Sequence, residues 1–494
     1  MTGNHKSDPL ECQEGLRKIN IFLNDEGDVS NISFIVPTLH KIEQVCIGRP
    51  VMEMPHMTSR LFASCSKAHH MASTKALDAL FDVLPTTAVR KIREMYYMAY
   101  FVMEHANRFY ALGGAGFMKK SEASPSHLNI QKLLNQAGNE LGRQVIACQR
   151  RNLRAMRLLA GRGANPKTGI AGGWRRHVTK EVQELFIDVA RQNIAFAQFC
   201  LKLFADEVLA NEKSINLIFS DTFTQPTYYM GMVDGNNRVN FYDGMIRVVA
   251  PNGDEFAKFY QYDYQKHIVE AVVLQSGINF LYLKQVGWKG FESGPKSGVY
   301  CATPLARLNA ADGMATPLAQ AEFEKIYEML GRVRGNGRYQ PIHQPLANQW
   351  ARLIELLYAA EQMETLAKDP EITHSTTRIP IMRRPTEGIG IVAAPRGLLT
   401  HHYKANKQGK VTHIELTMGT TNNHAPILMS VKKASQTFII KGKVQTKGLR
   451  NRIEMVFRAY DPCFCHTSRR SQDHSPLKIT IHDEKGEFIT TLGQ

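Results

Sequence analysis

Arg458-Ala-Tyr-Asp-Pro-Cys-Phe-Cys-His466, close to the C-terminus, gathers two thiols and an imidazole just behind an Asp-Pro step. A second stretch, Ser59-Arg-Leu-Phe-Ala-Ser-Cys65-Ser-Lys-Ala-His-His70, supplies one more thiol and two imidazoles almost 400 residues earlier. Thiolates and imidazoles suit soft or borderline transition metals rather than hard cations. If both stretches serve one buried site, the fold must bring the two ends of the chain together.

Together these stretches resemble the paired cysteine motifs of the large (α) subunit of nickel–iron hydrogenases. In that family the motifs read Arg-x-Cys-x-x-Cys and Asp-Pro-Cys-x-x-Cys-x-x-His. The resemblance extends over almost the whole chain. It includes Phe22-Leu-Asn-Asp-Glu-Gly-Asp28, Gly48-Arg-Pro-Val-Met-Glu-Met-Pro55, His69-His-Met-Ala-Ser-Thr-Lys-Ala-Leu-Asp78, Ala171-Gly-Gly-Trp174, Ala394-Pro-Arg-Gly-Leu-Leu-Thr-His-His402 and Thr420-Thr-Asn-Asn423. The wording is most similar to cytoplasmic hydrogenases that do not reduce coenzyme F420 and that pass electrons to heterodisulfide-reductase-type partners. The resemblance implies a single large-subunit-like domain over residues 1–494. Within it lie an N-terminal hairpin and first cysteine motif (1–80), a helical bundle (81–212), a sheet excursion (213–300), further helices (301–370), and strands with the second motif (371–494).

Periodicity alone gives a compatible picture. Residues 17–36 alternate around the turn Asn24-Asp-Glu-Gly-Asp28 and read as a β-hairpin. Ala88–Leu112, Leu128–Leu159 and Thr179–Leu209 carry apolar stripes at helical spacing, enough for a bundle as the central mass. Tyr228–Ile246 and Arg247–Tyr264 are aromatic and β-branched runs with Gly/Asn turns, as in a small antiparallel sheet. Helices return at Pro317–Leu330 and Leu346–Lys368, residues 387–440 read as strands and turns, and a helix or turn covers Lys447–Tyr460. The fold class is α+β, a central long-helix bundle with peripheral antiparallel sheets.

Composition narrows the function classes. No run approaches the ~18 apolar residues of a membrane span, and the first residues hold no apolar signal-peptide core. Eight scattered cysteines make no disulfide framework, so a reducing cytoplasm is expected. The net charge of +16 is spread over short basic pieces such as Gln149-Arg-Arg-Asn-Leu-Arg154 without a nucleic-acid motif, which fits a solvated face or an acidic partner protein.

The resemblance implies nickel held by four thiolates, two of them shared with an iron that carries CO and cyanide. This chain departs from that set. Phe62 stands where the first cysteine is expected, Cys65 keeps a bridging position, and Cys463 keeps a terminal nickel position. His466 replaces the fourth cysteine, with Cys465 one residue early. Three outcomes stay open: an altered nickel–iron centre, a Cys₃His zinc site from Cys65, Cys463, Cys465 and His466, or a metal-free pocket whose thiols pack as small apolar groups. In the last case Phe62 fills the volume that nickel would have vacated.

The family's surrounding residues map onto Arg396 over the open metal position, Asp461 beside Cys463, Glu14 as first proton acceptor, and His69 as support for the Cys65 thiolate. Glu43 matches the glutamate of a magnesium or iron site whose histidine is Arg469 here, so a Glu43–Arg469 ion pair is expected in place of the ion. Gly116 and Asn165 replace a further aspartate and histidine of the family pattern. The tail from Ser475 onward reads as a strand and hairpin that is retained. The implied partner is an Fe–S small subunit, because this chain has no clustered cysteines for an Fe–S centre. Two functions are therefore expected: a structural or repurposed subunit with lost or altered metal chemistry, or a hydrogenase that cleaves H₂ with a changed ligand set.

Overall fold

The computed structural model describes residues 18–35, 40–62, 65–110, 138–161, 166–273, 278–331, 339–374, 376–463 and 478–492. Its centre is a group of long helices: α3 (Thr87–Arg108), α4 (Gly138–Ala160), α5 (Lys180–Phe204) and α7 (Asn348–Lys368). α4 packs against α3 and α5, and α7 packs against both of these and against α6 (Pro317–Leu330). Its Trp350, Leu353, Ile354, Leu357 and Tyr358 are buried, as are residues on every other side of the helix, so it has no polar face. α3 and α5 begin where Thr86 and Thr179 accept hydrogen bonds from Val89 and Val182 N–H. The expected hairpin is β1 (Lys18–Leu23) with β2 (Val29–Ile35).

The chain's two ends do meet. β1 pairs in parallel with β12 (Lys478–His482), which pairs in turn with β13 (Phe488–Leu492), giving the sheet order β13-β12-β1-β2. Ile19, Ile21, Ile479 and Ile481 are fully buried there, so the C-terminal strand is part of the core. The middle sheet holds β3 (Tyr228–Val233), β4 (Met245–Val249) and β5 (Glu255–Phe259), with β8 (Tyr300–Cys301) parallel to β3. Between them, β6 (Ile268–Val272) and β7 (Asn279–Leu283) form a separate hairpin.

The third sheet matters most for the site: β9 (Glu387–Ala394), β10 (Gly397–Ala405) and β11 (Val411–Thr417), in that order. One face lies on helix α2 (Ser66–Leu80), which follows the first cysteine motif. Gly390 is what permits this contact, since a Cβ there would lie 2.1 Å from Ala72 O and 2.2 Å from Ala76 N.

One expectation needs correction. Residues 387–440 are not all strands and turns, because His424–Phe438 is a helix, α8. Its buried Ala425, Ile427, Leu428, Val431, Ala434 and Ser435 follow helical spacing, and Pro426 sits in the first turn, where a missing N–H costs nothing. Helix α2 also escapes the reading by periodicity; nearly all its residues are buried, so it lacks an amphipathic stripe. No helix among the described residues is long and apolar enough to cross a membrane.

Candidate functional site

Short α1 (Met54–Leu61) ends at Phe62, whose N–H donates to Thr58 O. Cys65 N–H then donates to Phe62 O at 3.1 Å, and Cys65 caps the N-terminus of α2. From the other end of the chain, α9 (Thr446–Tyr460) is closed by Asp461 in the left-handed region at φ 48°, which turns the chain sharply into Pro462-Cys463. Cys463 N–H donates to Thr420 Oγ1 at 3.0 Å. The two cysteines converge on one cavity of about 30 Å³, lined also by Phe62, His69, Arg396 and Thr420. Contact with the Cys463 thiol, reinforced by burial, pushes the Cys65 thiol well above its ordinary pKa, so both conditions favour the neutral thiol.

Phe62 is 2% exposed, and its ring stacks on His69 with centroids 4.1 Å apart and planes 16° from parallel. His69 Nδ1 lies 2.9 Å from His401 Nε2, and His401 Nδ1 lies against Tyr403 OH, which donates to Ser73 Oγ at 2.8 Å. Because Tyr403 spends its proton on Ser73, it accepts from His401 Nδ1–H, and His401 Nε2 accepts from His69 Nδ1–H. This row needs a neutral His401, and burial does hold its pKa down to about 3.

A charged wall closes the pocket. Arg396 sits in the β9–β10 turn, where Gly397 at φ 146° approaches Gly419 O so closely that a Cβ would lie 2.2 Å away. Asn423 Nδ2 donates to Arg396 O at 2.7 Å and fixes the turn. Arg396 Nη1 points at Cys65 Sγ, 3.6 Å away, and at Glu104 Oε2, also 3.6 Å away. Arg396 Nε donates to Asp461 O at 3.0 Å and lies 3.1 Å from Asp461 Oδ2. Arg108 and Arg352 approach the same carboxylate at 3.5 and 3.9 Å. Burial alone would raise the Asp461 pKa, but the three guanidinium groups outweigh it and hold the carboxyl below its usual range. Burial pushes Arg352 down to about 10 against the pull of Asp461. Behind this wall, fully buried Arg307 forks onto Glu355 at 2.6 and 2.7 Å, and His105 Nε2 meets Glu355 at 2.9 Å.

Arg396, Asp461, His69, Cys65 and Cys463 are thus brought together. Glu43 is placed elsewhere: its Oε1 accepts from Leu416 N–H at 2.9 Å on edge strand β11. Glu14, Cys465 and His466 lie outside the described residues, as do Gly116, Asn165 and Arg469. The Cys₃His set and the Glu43–Arg469 pair therefore rest on the sequence alone. Sequence reasoning missed Arg108, Arg352 and Glu104 in the wall and Arg307, Glu355 and His105 behind it. The visible signal was charge inside an apolar helix, as in Trp350-Ala-Arg-Leu-Ile-Glu-Leu-Leu357.

The described residues do not fit a four-thiolate dinuclear centre. Phe62, where the resemblance implies a first cysteine, puts a phenyl ring against the pocket, and a cavity of about 30 Å³ holds little more than a water, which needs about 10–15 Å³ on the same measure. Meanwhile Arg396 Nη2, Arg352 Nη2, Glu104 Oε2 and Asp461 Oδ2 are buried without a hydrogen-bond partner among the described residues. Such atoms normally take ordered water or a small polar group.

Comparison with known proteins identifies the chain's relatives. The family model described as nickel-dependent hydrogenase matches residues 40–129 and 280–467. An iron-sulfur subunit of the F420-non-reducing hydrogenase of Archaeoglobus profundus is 37% identical, with 98% of each chain covered. Its counterpart from the F420-non-reducing hydrogenase of Methanothermobacter thermautotrophicus is 31% identical over 98% of this chain and 99% of its own. Among solved structures, an NAD⁺-reducing nickel–iron hydrogenase in the H₂-reduced state superposes with a TM-score of 0.79 at 28% identity, covering 91% of this chain and 95% of that one.

Proposed function

The chain belongs to the nickel-dependent hydrogenase family, and we propose that it is a large-subunit component of a cytoplasmic oxidoreductase complex whose nickel–iron chemistry is lost or altered. In this reading it keeps the family's α+β scaffold as one domain and its surface for an Fe–S small subunit. Heterodisulfide-reductase-type proteins are the proposed electron-transfer neighbours. Phe62 carries the reading: buried at 2% exposure and stacked on His69, it stands at the expected ligand position and fills its volume. The burial of β12 beside β1 supports a C-terminal tail that stays attached.

One observation favours a second reading, a working hydrogenase with a changed ligand set. Arg396 still points at Cys65 from 3.6 Å, and its Nη2 has no partner among the described residues. The family's group would supply redox and hydride chemistry when bound. This chain's own residues would contribute a fixed positive charge at Arg396 and the sulfurs of Cys65 and Cys463, with the Cys65 thiol held neutral. The two readings separate in one experiment on the protein purified with its native partner. Infrared spectroscopy in the CO and cyanide stretching region, with metal analysis of the same sample, should give no diatomic bands and no nickel. Bands with one nickel and one iron per chain would establish the hydrogenase. Stoichiometric zinc that disappears in a Cys65→Ser, Cys463→Ser double variant would establish the Cys₃His site.

A further inference from the structure

Strand β10 carries two adjacent histidines, and the period of two sends them to opposite faces. His401 faces α2 and joins the buried row with His69. His402 faces the other way, directly across from Glu415 on β11, while His413 lies one pair further along on the same face, opposite Lys404. One ring nitrogen each of His402 and His413 and a carboxylate oxygen of Glu415 lie within 4.8 Å of one another. His402 Nδ1 is 3.5 Å from Glu415 Oε2, and His413 Nε2 is 4.0 Å from the same oxygen. A tetrahedral ion with bonds of about 2.0–2.1 Å sets its ligand atoms roughly 3.4 Å apart, so the three donors are already close to that spacing.

Two further contacts point to a ligand rather than to a chance surface cluster. His402 Nε2 lies 2.7 Å from Glu387 Oε1 on β9, which turns Nδ1 toward Glu415. A carboxylate behind the far nitrogen is the arrangement that orients a metal-bound imidazole. In addition, the Gln265 side chain, from the short helix Tyr264–His267, places Nε2 3.2 Å from His402 Nδ1 and 3.0 Å from Glu415 Oε2. That donor sits between the two acceptors where a cation would sit. Rotating the amide by half a turn presents its oxygen as a fourth ligand. His402 itself is only 4% exposed, whereas His413 and Glu415 open to solvent and give the ion a way in. Lys404 pairs with Glu387 at 3.2 Å and partly neutralises the carboxylate behind the ring.

We propose that His402, His413 and Glu415, with Gln265 as a fourth donor, form a binding site for a divalent ion of zinc-like preference. Two imidazoles, one carboxylate and one amide are the donors that borderline ions favour, and they exclude calcium or magnesium, which require oxygen ligands. A bound ion joins edge strand β11, strand β10 and the Tyr264–His267 helix. It thereby stiffens the strand that begins one residue after Arg396. The proposal is independent of whether the thiol pocket holds a metal.

The test uses the full-length protein stripped with a chelator and then titrated with Zn²⁺ against a chromophoric competitor, in parallel with Co²⁺ spectroscopy. Expected is one site whose Co²⁺ form shows tetrahedral d–d bands without sulfur-to-metal charge transfer, a signature the thiol pocket cannot give. His413→Ala and Glu415→Gln, both at exposed positions, should each weaken that site at least tenfold. Glu387→Gln should weaken it about 10- to 100-fold by freeing the ring. Zn²⁺ affinity unchanged in His413→Ala and Glu415→Gln, or Co²⁺ d–d bands that these two variants leave unaltered, would overturn the proposal. So would the absence of any binding.

Discussion

The floor and the wall of the pocket, a few ångströms apart, behave oppositely. The floor holds the Cys65 and Cys463 sulfurs and Phe62, whose ring lies at the end of α1 and stacks on His69, the first member of the row that runs to Ser73. The wall holds Asp461 with Arg396, Arg352 and Arg108 around it, and Glu104 paired with Arg396. A metal ligand supports chiefly the metal, so its replacement by a group of suitable volume can be accommodated. A buried charge is desolvated whether or not chemistry occurs, and each member of the wall is tolerable only because of the others.

The sharpest way to break this contrast is to remove the wall's central charge. Asp461→Asn keeps the shape and the tolerance for φ 48° but leaves Arg396 and Arg352 facing no counter-charge at that position. It should cost on the order of 3–5 kcal/mol, read as a fall in the denaturant midpoint at pH 7. Linkage sets the sign with pH. Because the folded pKa of Asp461 is depressed, its contribution is present above the unfolded value of about 3.9 and is lost as pH falls through the lower folded value. The variant should therefore lack part of the wild-type loss below about pH 4. On the floor, Phe62→Ala should cost about 3 kcal/mol through the cavity it leaves, with Phe62→Leu recovering most of that. If Phe62→Ala were instead neutral, the ring would not be filling the pocket.

Buried histidines, His70, His401 and also His105 behind the wall, spread their effect over another pH range. His70 Nδ1 donates to Pro55 O at 3.0 Å and its Nε2 accepts from Gly169 N–H at 3.0 Å, which fixes a neutral ring held near pKa 4 by burial. His401 is held near 3. Depressed folded values mean that the unfolded chain binds these protons first as pH falls, so stability is lost below the unfolded value. Each should cost about 1.4 kcal/mol per pH unit below about 6.5 until its folded pKa is reached. Denaturation midpoints at pH 7.5, 6.5 and 5.5 check this, and His401→Asn should remove one proton's share of the slope.

How much of this was legible depended on whether a residue's neighbours are sequential or distant. The helices with one wet face announced themselves: Thr179–Leu209 became α5, with Leu209 ending a closing π-turn after Phe204. α2 did not, because buried Ser66, Ser73, Thr74, Lys75 and Asp78 interrupt its apolar pattern, and α8 did not although its buried residues follow helical spacing. The motif resemblance brought Cys65, Cys463, Arg396 and Asp461 to one place, since it encodes an entire fold rather than local pattern. It carried no information about Arg352, which meets Asp461 only through packing of α7 against the end of α9. The His402–Glu415 pairing depends on strand register, and a one-residue slip would have put His401 there instead.

The smallest predicted effect separates the two meanings of a thiol on the floor. Cys65→Ser exchanges sulfur for oxygen at nearly the same size, and the hydroxyl can still accept from Arg396 Nη1, now 3.6 Å from the sulfur. If Cys65 serves as a packed, neutral thiol, the change should cost only about 1 kcal/mol, and the metal content of the purified complex should stay as it was. A thiol kept neutral by Cys463 and burial should also resist alkylation in the native protein at pH 8, which mass spectrometry reads directly. A thiolate bound to metal would resist alkylation too, but its replacement by serine would release the ion. The pair of measurements therefore distinguishes packing from ligation even though either alone is ambiguous. Loss of metal in Cys65→Ser with little change in stability would place the floor, like the wall, among the regions that function has preserved.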